Sequence, residues 1–399
     1  METTTPIPED SPTQNKLFVA VFCALLVLPL AGSFLPLDPH KIEGDDVDLI
    51  TQEAKKTPTG LLGTWTRKIK SDYGFRGSLL LMHGLLEYHI LHTNQNGVLF
   101  GQNGWKFMNR QLGLEYAQNI EPLTSKQINT HTAQMKLRLE LCRSVGADYV
   151  RVVAPSKATV YREHLPAWVK PLHEKSRLDQ LLTQSEPWVS NVMPDLRKSL
   201  QEAKAVQQLY FYADSHWKTA GALVGLNAVY NNLNARSTRY YRPIIPADFP
   251  ELSYDELPDL IRFMGIFTAY KEQNVYPQFP YHEQNQAVYQ FPDQLPEGSV
   301  SHFWKTWGKP YDQGGYTTYS WNADPATPHK RCVLVGDSFA EYWPPLLKHE
   351  FQEVVFIHHR ELPISSEWFE EFKPDVLMDF FVERKLMGEP FPLFDVELQ

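Results

Sequence analysis

Residues 331–339 read Arg-Cys-Val-Leu-Val-Gly-Asp-Ser-Phe, and the fold can be worked out from this stretch. Residues 332–335 form an apolar run with no polar face, the pattern of a strand covered on both sides. Gly336 ends the strand and the chain turns. Ser338 is then expected where a helix begins, at the carboxyl edge of a sheet, with its hydroxyl projecting and backbone N–H groups close by. Pro344 and Pro345 predict that the first turn after Ser338 is short before a second helix starts.

Further strands are expected on either side. Residues 148–153 (DYVRVV), 207–214 (QQLYFYAD), 352–358 and 374–381 are short runs rich in branched and aromatic side chains. Helical stretches lie between them. Residues 125–144 lack Gly and Pro and put Ile128, Met135, Leu139 and Cys142 on one stripe, while 191–207 and 218–233 are also helix-like. Such alternation predicts a three-layer α/β fold with a mainly parallel sheet. Residues 71–92 read as a helix and 97–108 as short strands around glycines. Residues 235–330, rich in Pro and aromatics, read as irregular insertions around the site. One domain is expected over 61–399.

The chain of 399 residues carries a formal charge of −9, which argues against nucleic acid, whose phosphates demand a surplus of Lys and Arg. Thirty prolines and ten tryptophans fit a loop-rich enzyme, and there is no internal repeat. Cys23, Cys142 and Cys332 form neither a CxxC nor a zinc spacing. Residues 17–37 are uncharged and long enough to cross a bilayer. Lys16 precedes them, and Asp38, Glu43, Asp45, Asp46 and Asp48 come after. The positive-inside rule then gives a cytoplasmic tail (1–16), a transmembrane signal-anchor (17–37), a stalk (38–60) and an extracytoplasmic body. The rival reading is a cleaved signal peptide ending near Ala31-Gly32-Ser33. Either way the body is exported.

A serine nucleophile needs a base whose tautomer an acceptor fixes. Asp214-Ser215-His216-Trp217 supplies the pair, provided a turn brings the carboxylate to the imidazole. Trp217 is expected to shield that ring from water, and Gly336 and Asp337 to support the oxyanion region beside Ser338. Asp38-Pro39-His40 has the same spacing at the membrane end. His83, His89 and His92 lie on an apolar helix, where His89 and His92 have a spacing that could face a metal and Glu87 lies one turn after His83, but the two pairs point in different directions, so no metal site is expected. His358 and His359 close a strand at the carboxyl edge. Trp304, Trp307, Tyr316 and Tyr319 offer rings suited to sugar faces.

Gly336-Asp337-Ser338-Phe339 and Asp214-Ser215-His216-Trp217, in that reversed order, resemble the alginate O-acetyltransferase AlgJ/AlgX family and its SGNH-like relatives. So do DYGFRGSLL (72–80), FGQNGWKF (100–107), VVAPSKATVYREHLP (152–166) and KPDVLMDFFVER (373–384). Ordinary SGNH hydrolases place Asp-x-x-His after the serine block, whereas here no histidine follows His359. The resemblance implies an SGNH-like domain with a Ser338–His216–Asp214 triad that transfers acetyl groups to a polysaccharide outside the cytoplasmic membrane, without a cofactor. It also implies a multi-pass membrane O-acyltransferase as partner, which supplies the acetyl group. The short stretch after Arg384 is expected to carry no carbohydrate-binding module, which is closer to AlgJ. An acetylesterase with the same triad, and a non-catalytic adaptor of an export complex, remain open alternatives.

Overall fold

The computed structural model describes residues 74–92, 97–266, 270–279, 318–322, 324, 326–389 and 393–394, with scattered positions between 16 and 38. These fall into two compact units. One comprises Met1–Asn96 with Asp259–Tyr270, and the other Gly97–Pro258 with Lys271–Gln399.

In the first unit, helix α1 (Arg76–Leu86) runs into a π-helical turn, Glu87–Leu91. His83 Nε2 lies 3.8 Å from Glu87 Oε1, one turn along. Among the described residues no helix is long and apolar enough to cross a membrane. The expected anchor, 17–37, lies outside the described residues except at 19–24, 27 and 32, all helical, where Val19, Val21, Phe22 and Val27 are at least half exposed.

The second unit opens with the hairpin β1 (Val98–Phe100) and β2 (Lys106–Met108). Helix α2 (Ser125–Ser144) comes next, held at its start by a capping box between Thr124 and Gln127 that satisfies two orphan donors reciprocally. Ile128, Met135 and Cys142 of its stripe are buried, and Leu139 is partly so. Then come β3 (Asp148–Ala154), the short helices α3 (Trp188–Val192) and α4 (Arg197–Ala203), and the long α5 (Thr219–Asn234). The single helix expected over 191–207 is thus two, because Pro194 cannot continue α3. A second hairpin, β4 (Glu251–Glu256) and β5 (Glu272–Pro277), precedes β6 (Thr318–Trp321), β7 (His329–Gly336) and β8 (Phe351–His358). Helix α6 (Ser366–Phe372) and β9 (Val376–Val382) complete the unit. Residues 235–330, expected to be irregular, supply a hairpin and a strand of the main sheet.

The five-stranded sheet has the order β3-β9-β7-β8-β6. Its first four strands are mutually parallel, and β6 adds an antiparallel edge. Alternate side chains serve opposite faces. Val152, Leu334, Val354 and Met378 pack with α5. Val153, Val333, Val355 and Leu377 pack with α2 and α6 on the other face. This is the three-layer arrangement predicted, with a mixed sheet. Cys142 and Cys332 are buried free thiols. A buried ionic group crosses the sheet, where Asp379 on β9 accepts from Arg138, from Arg151 Nε at 2.7 Å and from the Tyr149 hydroxyl at 3.1 Å.

Candidate active site

Gly336, the last residue of β7, pairs with His358 of β8. A Cβ at position 336 would lie 2.3 Å from the Ala340 Cβ, so the turn back toward the sheet has no room for a larger residue. Asp337 pins the turn. One carboxylate oxygen accepts from the Phe339 N–H at 3.1 Å and the other from the Val382 N–H of β9 at 2.8 Å. Both oxygens serve the backbone, so Asp337 shapes the turn. Ser338 is left half-buried at the carboxyl edge. Beyond it the chain makes only a 3-10 turn, Ala340–Tyr342, and a four-residue helix, Pro344–Leu347. The short first turn and the second helix agree with the paired prolines, but the helix expected to begin at Ser338 is only this 3-10 turn.

Asp214 and His216 arrive differently. Residues 207–214, expected to be a strand, do not form one. Instead Tyr210 and Trp217 meet in one isolated antiparallel bridge, and the residues between them run in bends. The sequence QQLYFYAD has strand propensity, but side chains take most of its N–H and C=O groups, and its main-chain bonds are isolated ones, such as that from the Lys106 N–H to the Tyr212 carbonyl at 2.8 Å, so it joins no sheet. The bends bring one carboxylate oxygen of Asp214 to the His216 N–H at 2.8 Å and to His216 Nδ1 at 2.6 Å. This is the turn that the spacing demanded. His216 Nε2 lies 2.7 Å from Ser338 Oγ, across 122 residues of chain.

The walls of the imidazole are Phe339, with ring centroids 4.8 Å apart, and Tyr342, at 6.3 Å. Trp217, expected to cover the ring, is instead fully buried. It stacks on Trp343 and donates to the Phe339 carbonyl at 3.0 Å, so it braces the serine turn from inside the core. Helix α5 can approach closely because position 221 is glycine. A Cβ there would sit 2.5 Å from the Leu209 carbonyl oxygen.

Tyr342 carries no signal in the sequence that would single it out. Its hydroxyl donates to Glu256 at 3.0 Å, and burial, followed by the Asp214 and Glu256 charges, holds the phenol well above its usual range. His358 caps its own strand end, Nδ1 accepting from the Arg360 N–H at 3.2 Å. Burial, then the neighbouring His359 and Arg360, pushes His358 down to about 4, and burial lowers His359 as well. Both rings are therefore neutral near pH 7. Tyr319 is fully buried and donates to Glu353 at 2.7 Å, which makes it part of the sheet's interior. Trp304, Trp307 and Tyr316 lie outside the described residues.

A parallel sheet with a serine at its carboxyl edge, set against a histidine and an aspartate from a separate loop, defines an SGNH-like α/β fold. Comparison with known proteins agrees. Residues 98–245 match the family described as SGNH hydrolase-like domain, acetyltransferase AlgX, a stretch that includes Asp214 and His216 but stops before Ser338. A probable alginate O-acetylase AlgJ of Pseudomonas aeruginosa is 30% identical over 143 residues, covering 34% of this chain and 33% of that protein. Its counterpart in Pseudomonas syringae is 21% identical over 212 residues, covering 52% of this chain and 49% of that one. The chain thus spans a third to a half of the length of these curated relatives. Bacillus cereus PatB1, solved with a sulfonyl adduct, superimposes with a TM-score of 0.51 at 15% identity, over 73% of this chain and 96% of that one. At that identity the likeness bears on the fold alone. The resemblance to the AlgJ/AlgX acetyltransferases holds.

Proposed function

We propose that this protein is an O-acetyltransferase that carries an acetyl group on Ser338 and passes it to hydroxyls of an extracytoplasmic, alginate-like polysaccharide. The observation that supports this reading best is the continuous relay from Asp214 through His216 to Ser338, 2.6 Å and 2.7 Å long. A carboxylate can only accept, so Asp214 keeps the imidazole proton on Nδ1 and leaves the Nε2 lone pair for the serine hydroxyl.

Ser338 Oγ attacks the acetyl carbonyl carbon as Nε2 takes its proton. The oxyanion forms near the Ser338 backbone N–H and collapses, and the leaving group departs with the proton held by His216. A sugar hydroxyl then gives its proton to His216, attacks the acetyl-serine and leaves as the ester, while the proton returns to Ser338. No cofactor takes part in these steps. Residues 17–37 would tether the protein to the inner membrane with the catalytic domain in the periplasm. A multi-pass membrane O-acyltransferase would supply the acetyl group.

The test incubates the protein with an activated acetyl ester, with and without an oligosaccharide acceptor, and tracks intact mass. An acetyl adduct on Ser338 and acceptor-dependent transfer are expected. Hydrolysis without transfer would make the protein an esterase, and absence of both an adduct and turnover would reduce it to an adaptor.

A further inference from the structure

The loop that carries Asp214 and His216 belongs to no strand or helix and has one main-chain bond to β2, from the Lys106 N–H to the Tyr212 carbonyl at 2.8 Å, yet its backbone polar groups are largely buried and need further partners. Two charged side chains from elsewhere meet that need. Lys157, just past the end of β3 and 3% exposed, donates its ammonium to the carbonyls of Phe211 at 3.0 Å, Tyr212 at 3.1 Å and Asp214 at 2.5 Å. An ammonium has three donors, and here each can reach a carbonyl. From another element, Glu272 of β5, 7% exposed, accepts from the Tyr212 N–H at 2.7 Å and the Ala213 N–H at 2.6 Å. Asn274 lies two residues further on the same face of β5 and accepts from the Thr219 N–H at 3.1 Å, just beyond the loop.

Burying an ammonium and a carboxylate costs several kcal/mol each unless their hydrogen bonds are well made. Here those bonds go to the residues immediately before His216. We propose that Lys157 and Glu272 are positioning residues that clamp this loop from two elements, fixing the distance between His216 Nε2 and Ser338 Oγ. The inference rests on His216 acting as the base. It makes the β4–β5 hairpin and the turn after β3 parts of the catalytic machinery, although neither touches the reacting atoms.

Lys157→Met keeps the stem but removes the ammonium from the Phe211 and Asp214 carbonyls, while the Tyr212 carbonyl keeps the Lys106 N–H. A displacement of about 1 Å at the base costs on the order of 100-fold, so kcat on a small acetyl ester should fall by about that factor with KM unchanged. Glu272→Gln offers one acceptor but turns a donor toward the second N–H, so a loss of about tenfold is expected. Lys157→Arg, which keeps charge and donors, should recover part of the rate.

NMR of the His216 ring in the resting protein gives a readout independent of turnover. Both Lys157→Met and Glu272→Gln should weaken the downfield Nδ1 proton and shift the ring nitrogen resonances. If Lys157→Met does not fold, the isosteric Glu272→Gln carries the test alone. A wild-type kcat and an unchanged ring signal in the folded variants overturn the clamp. Full activity in Ser338→Ala would instead overturn the catalytic reading, with the ring signal still deciding whether the clamp exists.

Discussion

The two halves of the site are built by opposite means. Ser338 is placed mainly by backbone: β7 lies in register between β8 and β9, its residues 332–335 are completely buried, and the turn after Gly336 is closed by the Ala340 N–H on the Asp337 carbonyl at 2.9 Å, with the Asp337 carboxylate as its one side-chain brace. His216 is placed largely by side chains, since its loop makes one isolated bridge and one main-chain bond to β2 and otherwise leans on Lys157 and Glu272. A hydroxyl on a sheet edge tolerates much change around it, because the ladder is a sum of many bonds. An imidazole held by side chains depends on a few.

The largest effect should come from the backbone-placed half at the reacting atom itself. Ser338→Ala should abolish ester turnover and the acetyl adduct while thermal unfolding stays unchanged. Retained turnover would remove Ser338 from the chemistry. Next, His216→Ala and Asp214→Asn should each lower kcat by about 10²–10⁴-fold, the latter by favouring the wrong tautomer. A Ser338/His216 double variant should be scarcely worse than either single change, because the residues act as a unit. Multiplicative losses would instead point to independent roles.

A third change probes the sheet without touching the site. Asp379→Leu leaves Arg138 and Arg151 buried without their carboxylate and should cost about 3–5 kcal/mol of stability by denaturant unfolding. The kcat of the folded fraction should stay within a few-fold. A large fall in kcat at unchanged stability would show that the sheet, too, positions the site through single side chains.

The smallest effect concerns Glu383, at the end of β9, which accepts from the Ser156 N–H at 2.8 Å and from Thr159. Burial pushes its carboxyl up from 4.5 to about 7. The folded state therefore favours the neutral acid. That contribution is complete below about pH 4.5 and is lost as the pH rises through about 7, a change of at most about 3 kcal/mol. Glu383→Gln should flatten stability against pH across that window. An unchanged slope would mean that the carboxyl titrates normally.

The same contrast explains what could be read from the sequence. A buried parallel strand announces itself, as 332–335 and 148–153 do, because both faces must be apolar. The Asp214–His216 spacing is legible as a turn because only a turn lets that carboxylate reach the ring. What supports the turn is hidden. Lys157 and Glu272 look like ordinary surface charges in sequence, and nothing local says that they meet residues some sixty positions away. Residues 207–214 mislead for the same reason, since strand propensity cannot report that side chains have already claimed much of the backbone. Trp217 lies on the other side of the turn from the one expected, because periodicity does not give the direction of a side chain in an irregular loop.

The strand order carries a consequence for how the chain comes together. Among the described residues β3 pairs only with β9, in a register that joins Arg151 to Asp379 across 228 residues. β9 also lies against β7, so it is the strand that connects the turn bearing Lys157 to the turn bearing Ser338. A growing polypeptide would have made every residue of the relay well before residues 376–382 exist to bring its halves into line. Such distant pairings slow the search for the native state and leave unpaired edges exposed meanwhile. The two halves of the relay therefore come into line late, when β9 slots between β3 and β7.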